Sequence, residues 1–129
     1  MNQTSIAQKI YFVNVIRTWY YFDMYTLRTT TRHDILFLFY VSTIAMLPVR
    51  KYRNPNLVLD LTEEFKKYQK DFAPEDIQII EYNHIYVGRL RIVHKKNHIY
   101  VGGIQILPEY QHKGIGTTIF SDLIAEANI

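Results

Sequence analysis

With 129 residues, 48% of them hydrophobic and 21% charged, the chain has material for one domain built around one core. A formal net charge of +3, with no basic stripe interleaved with aromatics, argues against a nucleic-acid partner. The absence of cysteine removes disulfides, thiolate chemistry and cysteine-based zinc sites, and it suits a cytoplasmic protein.

Residues 1–23 read as an N-terminal extension in which polar residues lead into "IYFVNVIRTWYYF". That run is apolar and aromatic without clean alternation, so strand, helix or a partner-dependent arm all remain open. No small-residue cleavage site follows it, and no secretory signal is read. "YTLRTT", Tyr25 to Thr30, alternates apolar and polar positions and predicts a strand. Arg32 to Leu47 predicts a helix, with Asp34 near its start and Pro48 beyond its end. The uncharged run Ile35 to Val49 falls short of the ~20 residues that a membrane span needs, so a buried helix and no membrane are expected.

"PVRKYRNPN" reads as loop. Asp60 and Glu63 have capping-box spacing, and Leu61, Phe65, Tyr68 and Phe72 recur at helical intervals, predicting a helix that ends near Phe72. Three strands follow: Ile77 to Tyr82, Tyr86 to Val93 and His98 to Leu107, joined by tight polar turns. Ile115 to Asn128 predicts a last helix with Ile119, Leu123, Ile124 and Ala127 on one face. A short-turned meander is antiparallel, and helices before and after it can cover its two faces. The expected fold is therefore a mixed α/β layer, mainly antiparallel and flanked by helices.

The junction before the last helix carries Gln111-x-x-Gly114-x-Gly116. A strand that enters a helix through glycines presents unpaired N–H groups at the positive end of the helix dipole, which favours an anion, most often a phosphate. Lys113 and Thr117 add a charge and a hydroxyl. Neither a dinucleotide fingerprint nor a Walker loop is present.

At these residues the chain resembles the GNAT superfamily of acyl-CoA-dependent N-acyltransferases, whose signature loop is [QR]-x-x-G-x-[GA]. "IQILPEYQHKGIGTTIFSDLIAEA" resembles that family's fourth strand, turn, loop and third helix. "IQIIEYNHIYVGRLRI" resembles its second and third strands, and "YTLRTTTRHDI" its opening strand and first helix. The resemblance covers about residues 24–128 and makes 24–129 the N-terminal and central part of such a domain. It implies acetyl-CoA as co-substrate, with cofactor contacts at Ile106, Leu107, Gln111, His112, Lys113, Gly114, Ile115, Gly116 and Thr117. Within that set Ile106 and Leu107 would bond the pantetheine arm, and an N–H near Leu107 would polarise the thioester carbonyl. The reaction implied is direct attack by the amine of a small molecule or peptide.

The resemblance reaches no counterpart of the family's later strands, so the strand His98 to Leu107 is expected to be an edge, open to a homo-oligomer, a partner or the N-terminal arm. The alternative expectation is accordingly a truncated, non-catalytic CoA-binding remnant that needs a partner chain. Glu81, Gln105 and Glu109 are candidates to touch substrate, each also readable as a solvated strand or turn residue. No catalytic side chain is assigned. His94 and His98 flank a hairpin turn, so their spacing of four does not make a metal site, and no metal is expected.

Overall fold

The computed structural model describes residues 25–128, so the extension read over 1–23 lies outside the described residues. Strand β1 (Tyr25–Thr29) leads through a 3-10 turn (Arg32–Asp34) into helix α1 (Ile35–Arg53) and then helix α2 (Leu61–Lys70). Strands β2 (Ile77–Tyr82), β3 (Ile85–His94) and β4 (Ile99–Ile106) follow, and helix α3 (Ile115–Ala127) ends the described chain. The sheet order is β1-β2-β3-β4, antiparallel at every step.

Local chemistry explains most boundaries. The Thr31 hydroxyl accepts from the His33 N–H while the Asp34 carboxylate accepts from the Thr31 N–H, a reciprocal cap at the entry to α1. At α2, Asp60 accepts from the Thr62 and Glu63 amides. Between β2 and β3, Asn83 and His84 both take positive φ (50° and 68°), as the mirror-image turns of two-residue hairpins require.

Helix α1 departs from expectation at its end, because it runs through Pro48 to Arg53. Proline removes only the bond to the Ile44 carbonyl. The turn beyond is held from outside, where Arg50 makes a two-pronged ion pair with Glu64 of α2 at 3.0 and 3.3 Å. With the turn before it, α1 is by length and composition able to cross a membrane, and only Leu38 and Val41 of the helix are buried, so the buried helix expected from the sequence is instead mostly half-buried or exposed among the described residues.

Two layers cover the sheet. Leu38 of α1 packs with Ile77 and Ile79, joined by Phe37, Tyr68 and Phe72. On the other face Ile115, Ile119 and Leu123 of α3 pack with Tyr25, Ile80, Val87, Leu90 and Ile92. The Tyr25 hydroxyl donates to the buried Asp122 carboxylate and ties β1 to α3.

Strand β4 carries one extra residue. Arg91 pairs with Gly103 and Ile92 with Val101, which makes Gly102 a bulge. Ile99 and Val101 before it and Ile104 and Ile106 after it therefore all join the α3-side core. β3 and β4 also approach closely at Gly88, where an added Cβ would lie 2.3 Å from the Gln105 carbonyl oxygen.

Candidate functional site

After Leu107 the chain makes a 3-10 turn (Pro108–Tyr110) and passes through His112 at φ 62° and Gly114 at φ 83°, ψ 5°. Gly114 is the N-cap of α3, a left-handed position that glycine adopts without a Cβ penalty. Its carbonyl accepts the first helical bond, from the Thr118 N–H at 2.9 Å. The amides of Ile115, Gly116 and Thr117 thus have no acceptor within the helix. No side chain caps this end, and the first turn holds no acidic residue.

Burial of Ile115 and Ile119 fixes the helix, while Gln111, His112, Lys113, Gly114 and Thr117 are exposed. The Lys113 ammonium lies 5.8 Å from the centre of the Tyr110 ring. A Cβ built on Gly114 would meet nothing within 4 Å, and one on Gly116 only Ile106 Cδ1 at 3.7 Å. The protein leaves the space over these amides open, and their geometry suits an anion.

The strand leading to this loop has a free side. Among the described residues no strand pairs with β4 opposite β3. The Leu107 N–H donates to the Val87 carbonyl at 2.8 Å, which fixes the phase of the antiparallel ladder. By alternation the N–H and C=O groups of Ile104 and Ile106 face the free edge. The Gln111 side chain reaches back and donates to the Ile106 carbonyl at 2.8 Å.

This corrects the expectation for Leu107. Its N–H is bonded to β3 and is no free donor for a ligand, while its C=O already accepts one bond, from Tyr110 at 2.9 Å. Among the expected strand-end contacts, Ile106 alone presents its backbone outward.

The residues read as substrate contacts do not converge. Glu81 sits in register with Tyr86, and Gln105 with Arg89, about three residues or ~10 Å apart along the sheet. Glu81 is engaged by Arg28 Nε and the Thr26 hydroxyl, each at 3.5 Å. Arg28 also binds Asp34 at 2.8 Å and lies over the Tyr86 ring at 4.9 Å. Hydrogen bonding from Arg28 holds the Asp34 carboxyl below the usual range. Glu81 thus belongs to a structural cluster, and Glu109 is exposed in the 3-10 turn. Gln105 differs, because its side-chain oxygen is buried without a hydrogen-bond partner.

Two arginines escaped the sequence reading. Leu90 and Ile92 join the α3-side core, so Arg89 and Arg91 turn to the α1 side. Arg89 donates to the Ser42 hydroxyl of α1 at 3.1 Å, and its buried Nε–H has no acceptor. Both arginines line a cavity of about 560 Å³ between α1, α2 and the sheet. Phe39, Met46, Tyr68 and Phe72 give it apolar wall, and Asp71 and Asp76 also line it. The alternation "RLRI" was a visible signal for these arginines; their lack of a partner was not.

A family model described as the Acetyltransferase (GNAT) family matches residues 44–128. No curated protein matches. Among solved structures the chain is similar to a possible acetyltransferase from Clostridium difficile 630, at 13% identity and TM-score 0.53 over 81% of this chain and 71% of that one. It is also similar to the ribosomal-protein-S18-alanine N-acetyltransferase of Escherichia coli, at 15% identity and TM-score 0.51 over 81% and 59%. A GNAT family acetyltransferase from Brucella melitensis, solved with acetyl-CoA, matches at 17% identity and TM-score 0.50 over 81% and 68%. The chain spans 34% and 57% of the length of two other matched structures, less than two thirds of each. At such identities the structures show a shared fold; the match of the family model, across 44–128, shows more. The chain belongs to the GNAT acetyltransferase family.

Proposed function

We propose that this protein binds acetyl-CoA at the junction of β4 and α3 and transfers the acetyl group to an amine. One observation carries the reading: an uncapped helix N-terminus, opened by a left-handed glycine, lies directly beside the free edge of a strand. The anion end of the site would be the amides from His112 to Gly116, the Gln111 N–H being bonded to the Pro108 carbonyl at 3.2 Å, with the Lys113 ammonium and the Thr117 hydroxyl alongside. Ile106 would bond the pantetheine arm, and Gln111 would have to release the Ile106 carbonyl as it did so.

Acetyl-CoA supplies an acyl carbon already activated as a thioester. Polarising its carbonyl needs a fixed N–H at the strand edge, and with Leu107 engaged that donor is the amide of Ile104 or Ile106. The amine nitrogen forms the C–N bond as the C–S bond breaks, and the proton lost by nitrogen is balanced by the one gained on sulfur. Holding the two reactants together supplies much of the rate.

Calorimetric titration of the purified chain with acetyl-CoA tests the reading. Micromolar binding that disappears in Gly114→Val, with the fold intact by circular dichroism, is the expected result. A folded wild-type chain that gives no heat refutes it.

A further inference from the structure

The α1–α2 cavity holds a charge problem that the acetyl-CoA site does not touch. Arg89 is half-buried on the sheet floor, and its only hydrogen bond among the described residues is to the neutral Ser42 hydroxyl. Among the described residues its Nε–H is shut away from solvent with no acceptor, and no carboxylate lies within ion-pair distance, Asp71 and Asp76 of the same cavity included. The contrast with its neighbours is plain, since Arg28 has Asp34 and Glu81 while Arg50 has Glu64. A partly desolvated guanidinium without a counter-charge is costly, and a bidentate carboxylate is its natural complement.

Three further features adjoin it. Gln105, opposite Arg89 in register, keeps its side-chain oxygen buried and without a donor, so unmet needs of opposite sense sit one strand, ~4.8 Å, apart. Arg91 brings a second guanidinium to the same cavity, unpaired among the described residues. The open space beyond Gly103, where a Cβ would meet nothing within 4 Å, gives room beside β4. The volume, about 560 Å³, is that of a small-molecule site.

We infer that this cavity takes the acceptor, and that Arg89 selects amines bearing a carboxylate. The carboxylate would lie on Arg89, the amine N–H groups would turn to Gln105 at β4, and an apolar substituent would rest on Phe39, Tyr68 and Phe72. Naming the bound molecule an acceptor rests on the acetyl-transfer reading; the preference for a carboxylate does not.

Two matched ligand pairs, phenylalanine with phenylalaninamide and alanine with alaninamide, test this by NMR titration of the whole chain. Acetyl-CoA affinity is measured on the same samples. The carboxylate-bearing member of a pair should bind about tenfold tighter or more and shift the Arg89 Nε–H resonance. Arg89→Gln should erase that preference and Arg89→Lys should keep part of it, with acetyl-CoA affinity unchanged in both. Equal affinity within each pair overturns the inference, as does acetyl-CoA binding with no binding of either pair. A carboxylate preference in a chain that ignores acetyl-CoA would sink the transfer reading and leave the pocket standing. If Arg89→Gln fails to fold, the wild-type pairs still decide.

Discussion

Thr117→Glu sets stability and ligand binding against each other. Position 117 is exposed in the first turn of α3, which holds no acidic residue. A carboxylate there meets the positive end of the helix dipole, worth ~0.3–1 kcal/mol. Glutamate is also the better helix former by a few tenths of a kcal/mol. A gain of ~0.5 kcal/mol should raise Tm by ~2–4 °C in a domain of this size. For a bound diphosphate the same charge is repulsive. At ~6 Å each pair of charges costs ~0.7 kcal/mol in a water-like medium and about four times that near a protein surface. With two ligand charges the loss is at least ~1.4 kcal/mol, or tenfold in Kd. Thermal unfolding and calorimetric titration with acetyl-CoA read the two effects separately, and Thr117→Gln controls for the lost hydroxyl. A Thr117→Glu chain that is stabilised yet binds acetyl-CoA like wild type would refute the placement of phosphate at this helix end.

Gly114→Ala should cost ~1–2 kcal/mol, because φ 83° is a left-handed position, and Tm should drop by several degrees. Gly88→Ala should destabilise by ~1–3 kcal/mol in urea titration, since the new Cβ would lie 2.3 Å from a backbone oxygen that cannot yield without moving β4. Arg28 lowers the pKa of Asp34 in the folded state, so this pair contributes its stability above the unfolded carboxylate value of ~3.9 and loses it as pH falls through the folded value. Asp34→Asn should therefore lose less stability than wild type between pH 7 and pH 3, measured by urea midpoints at both; equal losses would remove Arg28–Asp34 from the acid response.

What the sequence made legible was local. Turn chemistry at Asn83-His84 and the glycines on either side of Ile115 marked β2, β3 and the start of α3, because the signal and the constraint lie in the same few residues. Pro48 misled for the converse reason. A proline speaks for its own turn, whereas the pair that carries α1 past it joins Arg50 to a residue fourteen positions on. The site divides the same way. An uncapped, glycine-bearing helix start could be read directly, but the engagement of the Leu107 amide depends on the phase of β3 against β4, set by the Val87 bond. The arginines at 89 and 91 were visible as alternation, and only the packed fold reveals which arginines lack an acid.

The bulge at Gly102 acts as a parity switch within β4. Up to Val101 the odd-numbered side chains face α3; beyond Gly103 the even-numbered ones do. Removing that one glycine would join Val101 directly to Gly103 and leave a regular ladder, with Ile104 and Ile106 still facing α3 and Gln105 still facing α1. Drawing Gly102 into the regular pleat instead would turn Ile104 and Ile106 toward the α1 side and exchange the backbone groups that point outward for those that point to β3. The one-residue length change that this strand accommodates is thus at the bulge itself, and the strand edge beside the anion loop depends on how a residue with no side chain sits.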